Sequence, residues 1–135
     1  MKSLTLAYQK LMSEKSNVSA HYLISRDGTI INLLCPSYKA WHSGKSKWKT
    51  HSNINDYSIG IELENKGHEF GYSNFTKIQY SSLKKLIDFM KKNFNILDEN
   101  IIFHSDIAPN RKQDPGEKFF IKKIGVNRFK SIKIL

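Results

Sequence analysis

The sequence predicts an α/β fold, a mixed central β-sheet flanked by helices, and three patterns carry that expectation. Two β-rich runs, Ser19 to Ser25 and Thr29 to Leu34, are joined through Arg26-Asp27-Gly28, and Asp-Gly between such runs signals a hairpin. Ser58 to Glu64 alternates, with Ile59, Ile61 and Leu63 on one face and Ser58, Gly60, Glu62 and Glu64 on the other. Residues 76 to 95 hold the strongest helical pattern, opened by a capping box at Thr76 and Gln79.

The elements follow in order. Residues 3 to 13 place Leu4, Ala7, Tyr8, Leu11 and Met12 at helical spacing, with Ser3 as N-cap. After the hairpin, Pro36 to Asn55 is a long loop rich in Lys, Ser, Trp and His, and long loops in compact domains are often functional. The Ser58–Glu64 strand comes next. In the helix that follows, Tyr80, Leu83, Leu86, Ile87, Met90 and Phe94 form an apolar stripe that reads as core. Asn100 to His104 reads as a further strand, and the tail from Phe119 is basic. A helix between two strands suggests a crossover on the sheet, with strand order left open.

A chain of 135 residues fits a single domain spanning 1–135. With 39% hydrophobic and 25% charged residues it is globular rather than disordered. No apolar run approaches the length of a membrane span. Gln9, Lys10, Glu14 and Lys15 interrupt any signal-peptide core after Met1, so a cytoplasmic location is the expectation from this chain. Cys35 is the lone cysteine, which excludes an internal disulfide and a cysteine-rich metal site. The net charge of +10 favours an anionic partner: nucleic acid, a membrane surface or the carboxylate-rich bacterial wall. The basic residues are dispersed and form no aromatic-basic motif, so a nucleic-acid partner is not expected.

Chemistry concentrates after Ile101. His104 ends the apolar run, and Ser105 to Lys112 lead through turn-formers and charge to Asp114-Pro115-Gly116. Imidazole and carboxylate are ordinary zinc ligands, and Lys112 offers a cation for an oxyanion. The same residues also read as a satisfied strand-end histidine and a plain turn. Glu62 is the second pointer, a strand carboxylate on the face that carries Gly60, suited to general-base work or simply facing solvent.

Together these segments resemble the zinc-dependent N-acetylmuramoyl-L-alanine amidases of the AmpD type, which share their fold with T7-like lysozyme and the peptidoglycan recognition proteins. Four stretches carry the resemblance, in order: Val18–Ile24 with Arg26-Asp27-Gly28, Ala40-Trp41-His42-Ser43-Gly44, Asn55–Glu64, and His104–Pro109 through Arg111-Lys112 to Asp114-Pro115-Gly116. The resemblance implies His104 and Asp114 as zinc ligands, Glu62 as the base that activates water, and Lys112 as the oxyanion cation. It implies cleavage of the amide between N-acetylmuramic acid and L-alanine in peptidoglycan or its muropeptide fragments. Trp41 and His42 are candidates for a substrate wall, and Arg111 for a substrate carboxylate. Trp41 reads equally as a packing residue, and Arg111 as a loop brace.

The family's first zinc ligand is a histidine ending an N-terminal strand, whereas this chain opens on its first helix. The expectation is therefore an amidase-like domain lacking that strand, with no third ligand found. His21 falls on the family's hairpin histidine, and His42, His51 and His68 lie in segments not used for metal. Either Met1 is internal to a longer protein, which could then be periplasmic or envelope-associated, or this is a short form with an incomplete site. In the second case a non-catalytic muropeptide-binding module is the alternative function. A version carrying the upstream strand is expected to melt higher and turn over faster than the 135-residue chain. Equal melting temperature and equal turnover in the two would contradict this.

Overall fold

Alternating side-chain direction on two short strands decides where the layers lie. The computed structural model describes residues 4–13, 19–66 and 71–127. Helix α1 spans Leu4–Met12, strand β1 Tyr22–Ile24, β2 Ile30–Asn32 and β3 Ile61–Leu63. Helix α2 spans Lys77–Phe94, and α3 His104–Ile107. The sheet order is β2-β1-β3, with β1 antiparallel to β2 and parallel to β3. The mixed sheet is the one expected.

Every side chain of β1 is buried, but they point to two layers. Tyr22 and Ile24 join Leu83, Leu86, Ile87 and Met90 of α2, and Ile59, Ile61 and Leu63 pack on that cluster. Leu23 faces the other way and packs with Ala7 and Leu11 of α1. Glu62 pairs with Leu23 across the parallel ladder, which places it off the α2 face. The alternation read from Ser58–Glu64 is thus the division between core and groove.

The hairpin turn is held by its own polar atoms. The Asp27 carboxylate accepts from Thr29 N at 3.0 Å and from the Ser25 hydroxyl. The Ser25 hydroxyl and then the Thr29 N–H hold its carboxyl down at about 2. Gly28 has φ +85°, and an added Cβ there would sit 2.6 Å from Ile78 Cγ1, so glycine is required on both counts.

The capping box forms: Gln79 N donates to Thr76 Oγ1 at 3.1 Å, and Thr76 N donates to Gln79 Oε1 at 3.0 Å. The same end of α2 is tied to the sheet. Thr76 Oγ1 donates to Arg26 O at 2.7 Å and Gln79 Nε2 to Glu64 O at 3.0 Å. Asn95 closes the helix in the left-handed region at φ +52°.

Three expectations differ from the structure. Asn100–His104 is not a strand: Asp98–Asn100 is a 3-10 turn and Ile101–Phe103 runs outside the three strands of the sheet. Asp106 reaches back to accept Phe103 N at 2.7 Å, so the chain enters a helix at His104. Phe94, expected in the core stripe, is exposed, as are Tyr8 and Met12 on α1. The spacing identifies a helix face but not where its neighbour ends. Ser3 and the tail beyond residue 127 lie outside the described residues. Among the described residues no helix is long and apolar enough to cross a membrane.

Replacing the N-cap, Thr76→Ala, should cost about 1 kcal/mol of unfolding free energy, read as a lowered urea midpoint with unchanged slope. An unchanged midpoint would show that the cap contributes nothing here.

Candidate functional site

His104 has both ring nitrogens committed. Its Nε2 lies 2.9 Å from the carbonyl oxygen of Ser43, which can only accept, so Nε2 carries a proton. Its Nδ1 lies 3.1 Å from Asp114 Oδ2. In the neutral ring that nitrogen is a lone pair facing a carboxylate, two electron-rich atoms that call for a cation between them, a proton or a metal. Burial alone would lower the imidazole's pKa, but the Asp114 carboxylate carries it above its ordinary value. Burial would likewise raise Asp114, and His104 outweighs it, so that carboxyl sits below its usual range.

Backbone bonds hold this pair in place. Ser105 N donates to Asp114 O at 3.0 Å, and Tyr72 OH donates to Pro115 O at 2.6 Å while accepting Lys118 N at 3.0 Å. The peptide between Asp114 and Pro115 is cis. On the other side, Asn55 Oδ1 accepts His42 N at 3.1 Å, Ser43 N at 3.0 Å and Ser43 Oγ at 2.7 Å, which pins the Trp41–Gly44 loop under His104.

Glu62 looks onto the same pair from β3. Burial first, and the Asp114 charge second, push its carboxyl above the ordinary range, with His104 and Lys112 opposing. A raised carboxyl is what a general base working near neutral pH needs. Lys112 is half-buried, and its charge acts on Glu62, His104 and Asp114 alike. All seven candidates from the sequence, Glu62, Lys112, His104, Asp114, Trp41, His42 and Arg111, line one groove of about 1310 Å³.

Their placements differ in kind. Trp41 is 54% exposed at the rim rather than packed inside. His42 is turned inward, half-buried, with Nε2 3.1 Å from Ser58 Oγ. Burial, aided by the charges of His21 and His104, holds its imidazole down at about 4. Arg111 donates to Ser43 O at 2.7 Å and to Lys45 O at 2.9 Å, so among the described residues it braces the loop through carbonyls rather than an ion pair. His21 is fully buried, with Nε2 2.6 Å from Tyr38 O and Nδ1 accepting Gly60 N at 3.0 Å, which leaves no lone pair for a metal. His51 packs against Tyr57 with the rings tilted at 37° and centroids 4.4 Å apart. His68 lies outside the described residues. Among the described residues no group of three or more His, Cys, Asp or Glu side chains is gathered to hold a metal ion.

Sequence reading missed Ser43, which acts through its carbonyl, and Asn55 and Tyr72, whose side chains hold main-chain atoms of other segments. Gly60 left a trace, as the residue without a side chain on the face of Glu62. An added Cβ there would lie 2.4 Å from His42 Cγ.

Residues 2–117 match the family Amidase_2, described as N-acetylmuramoyl-L-alanine amidase. The 1,6-anhydro-N-acetylmuramyl-L-alanine amidase AmpD of Haemophilus influenzae is 41% identical over 103 residues, 76% of this chain and 54% of that protein. Among solved structures, the amidase AmiD from Escherichia coli, in complex with the substrate anhydro-N-acetylmuramic acid-L-Ala-D-gamma-Glu-L-Lys, superposes with TM-score 0.84 at 32% identity. It covers 91% of this chain and 52% of its own. AmpDh3 from Pseudomonas aeruginosa, in complex with an anhydromuramic pentapeptide, superposes with TM-score 0.84 at 31% identity, covering 91% of this chain and 54% of its own. The chain spans about half the length of the relatives it matches.

Two outcomes follow from the geometry. Gly60→Ala should displace His42 and cost about 1–3 kcal/mol in chemical denaturation; no loss would mean the ring yields freely. An NMR titration should find His42 half-protonated at about 4, below the ordinary imidazole value of 6.5. The unfolded chain then binds the extra proton between those values, so this group's contribution is complete above 6.5 and lost as pH falls toward 4. Titration near its ordinary value would contradict the burial argument.

Proposed function

The chain belongs to the N-acetylmuramoyl-L-alanine amidase family, and from that premise we propose that its groove serves hydrolysis of the amide joining the lactyl group of N-acetylmuramic acid to L-alanine in muropeptides. The observation that carries the reading is the His104–Asp114 pair, whose Nδ1 and Oδ2 face each other at 3.1 Å with the opposite ring nitrogen locked on Ser43 O. This donor set fits two ligands of a zinc site, and the Ser43 carbonyl is the outer partner that metal-bound imidazoles commonly have. Zinc held there would supply Lewis acidity toward the scissile carbonyl and toward water.

The remaining steps belong to the chain's own groups. Glu62 takes a proton from the attacking water and returns it to the departing nitrogen of L-alanine. Lys112 places its charge beside the oxygen on which negative charge builds as the carbonyl carbon becomes tetrahedral. His42 and Trp41 flank the groove, and Arg111 keeps Ser43 O in place for His104.

One observation favours a second reading, in which the chain recognises muropeptides without cutting them. Among the described residues the metal donors stop at two, and affinity for zinc falls with each ligand absent.

Incubation with an N-acetylmuramoyl-L-alanyl peptide and stoichiometric zinc, followed by mass spectrometry, separates the readings. The amidase reading expects a free peptide with N-terminal L-alanine, its loss on chelation, and a drop in turnover of about 100-fold or more in Glu62→Gln. Binding of the intact peptide without product would establish the recognition reading. Chelator-insensitive cleavage, or full turnover in Glu62→Gln, would overturn the assigned roles.

A further inference from the structure

The hydroxyl of Ser58 stands between a carbonyl and an imidazole. Its Oγ lies 2.6 Å from Ile54 O and 3.1 Å from His42 Nε2. A carbonyl oxygen can only accept, so the hydroxyl proton goes to Ile54 along the shorter bond. What Ser58 turns toward His42 is a lone pair, and Nε2 carries the proton that meets it. The tautomer of His42 is thereby fixed, with Nδ1 bare.

One short turn holds both ends of the residue. Ile54 and Asn55 belong to the 3-10 turn Ile54–Asp56. Ile54 O accepts Tyr57 N at 3.0 Å as well as Ser58 Oγ, and Asn55 Oδ1 accepts His42 N at 3.1 Å. Gly60 lies against the Cγ–Cδ2 edge of the ring, where an added Cβ would be 2.4 Å from Cγ and 2.5 Å from Cδ2. Nδ1 is on the other edge, and no hydrogen bond reaches it among the described residues. The ring lines the groove that holds Glu62 and His104.

His42 and His104 share this placement of the proton but not its consequence. Nδ1 of His104 faces the Asp114 carboxylate, and that pair calls for a cation. Nδ1 of His42 has no such partner, and burial keeps its ring neutral down to about 4. A neutral, bare nitrogen takes a hydrogen bond from a ligand and repels a ligand carboxylate. A hydroxyl can satisfy itself elsewhere as donor or acceptor, whereas an amide N–H only donates. We infer that Ser58 is a positioning residue: by holding the tautomer of His42 it keeps Nδ1 as the acceptor for an amide N–H of a bound muropeptide. For its ligand the inference rests on the amidase reading of the groove, and the tautomer itself is independent of that reading.

Long-range ¹H–¹⁵N spectra of the full chain test the hold of Ser58 without any ligand. The His42 ring should carry its proton on Nε2, and Ser58→Thr, which keeps the hydroxyl, should leave it there. Ser58→Ala, or Ser58→Cys with its weakly accepting thiol, should populate the other tautomer. A proton on Nδ1 in the unaltered chain, or an unchanged tautomer in both variants, would overturn the proposal. Addition of N-acetylmuramoyl-L-alanyl-D-isoglutamine should then shift Nδ1 as it accepts, while Nε2 keeps its proton. The affinity for this ligand should fall about three- to tenfold in Ser58→Ala and be retained in Ser58→Thr. Binding that leaves Nδ1 unmoved would overturn the acceptor role and leave the amidase reading standing. No binding, with the tautomer as expected, would overturn the acceptor role together with the amidase reading, and the hold of Ser58 on the ring would stand.

Discussion

One hydrogen bond organises the site: His104 Nε2–H to the carbonyl oxygen of Ser43, at 2.9 Å. It joins the two loops that carry nearly all of the polar chemistry, and it sets which nitrogen of the ring is left bare. A carbonyl cannot donate, so the bond admits a single tautomer, and Nδ1 must present its lone pair to Asp114. Everything around it keeps that carbonyl aimed. Asn55 holds the N–H of Ser43, and Arg111 shares its oxygen. Gly44 has φ +60°, and an added Cβ there would lie 2.8 Å from the Arg111 guanidinium, which would have to shift from the Ser43 carbonyl. The architecture below has the same purpose. β3 stands beside β1 in parallel register, so Ile61 and Leu63 are spent on the core while Glu62 is delivered to the groove.

The electrostatics follow from crowding unlike groups in a half-buried space. Glu62 and Asp114 repel each other, and burial adds to the cost of ionising Glu62, so the two carboxyls are driven in opposite directions. Burial opposes ionisation of Asp114, but the His104 ring, when protonated, outweighs it through a hydrogen bond and its charge, whereas Glu62 is left as the group that gains and loses a proton. Two carboxyls pushed apart by their surroundings suit the proposed division between ligand and base.

Much of this was legible in the sequence because side-chain chemistry and period announce themselves. The Asp-Gly hairpin, the Thr76–Gln79 capping box and the alternation at Ser58–Glu64 are local patterns with one physical meaning, and each formed. The gathering of Glu62, Lys112, His104 and Asp114 in one groove was legible only through the resemblance of four ordered stretches to a known family; residue type alone left each of them open. What stayed hidden was the work of the backbone. Ser43 contributes a carbonyl, which has no letter in the sequence. Asn55 and Tyr72 contribute bonds to main-chain atoms of distant segments, which no local spacing reveals. The apolar run Ile101–Phe103 has β-type composition, yet Asp106 captures the N–H of Phe103 and turns the chain into a helix. Tyr8, Met12 and Phe94 have the period of a buried stripe and lie beyond the reach of a sheet whose strands are three residues long.

The most direct test of this account is the protonation of the His104 ring, read from its ¹⁵N shifts at a pH above its titration, before and after stoichiometric zinc. The account predicts a proton on Nε2 and a bare Nδ1, with Nδ1 alone moving strongly when zinc is added. A proton on Nδ1, or ring nitrogens indifferent to zinc, would contradict it.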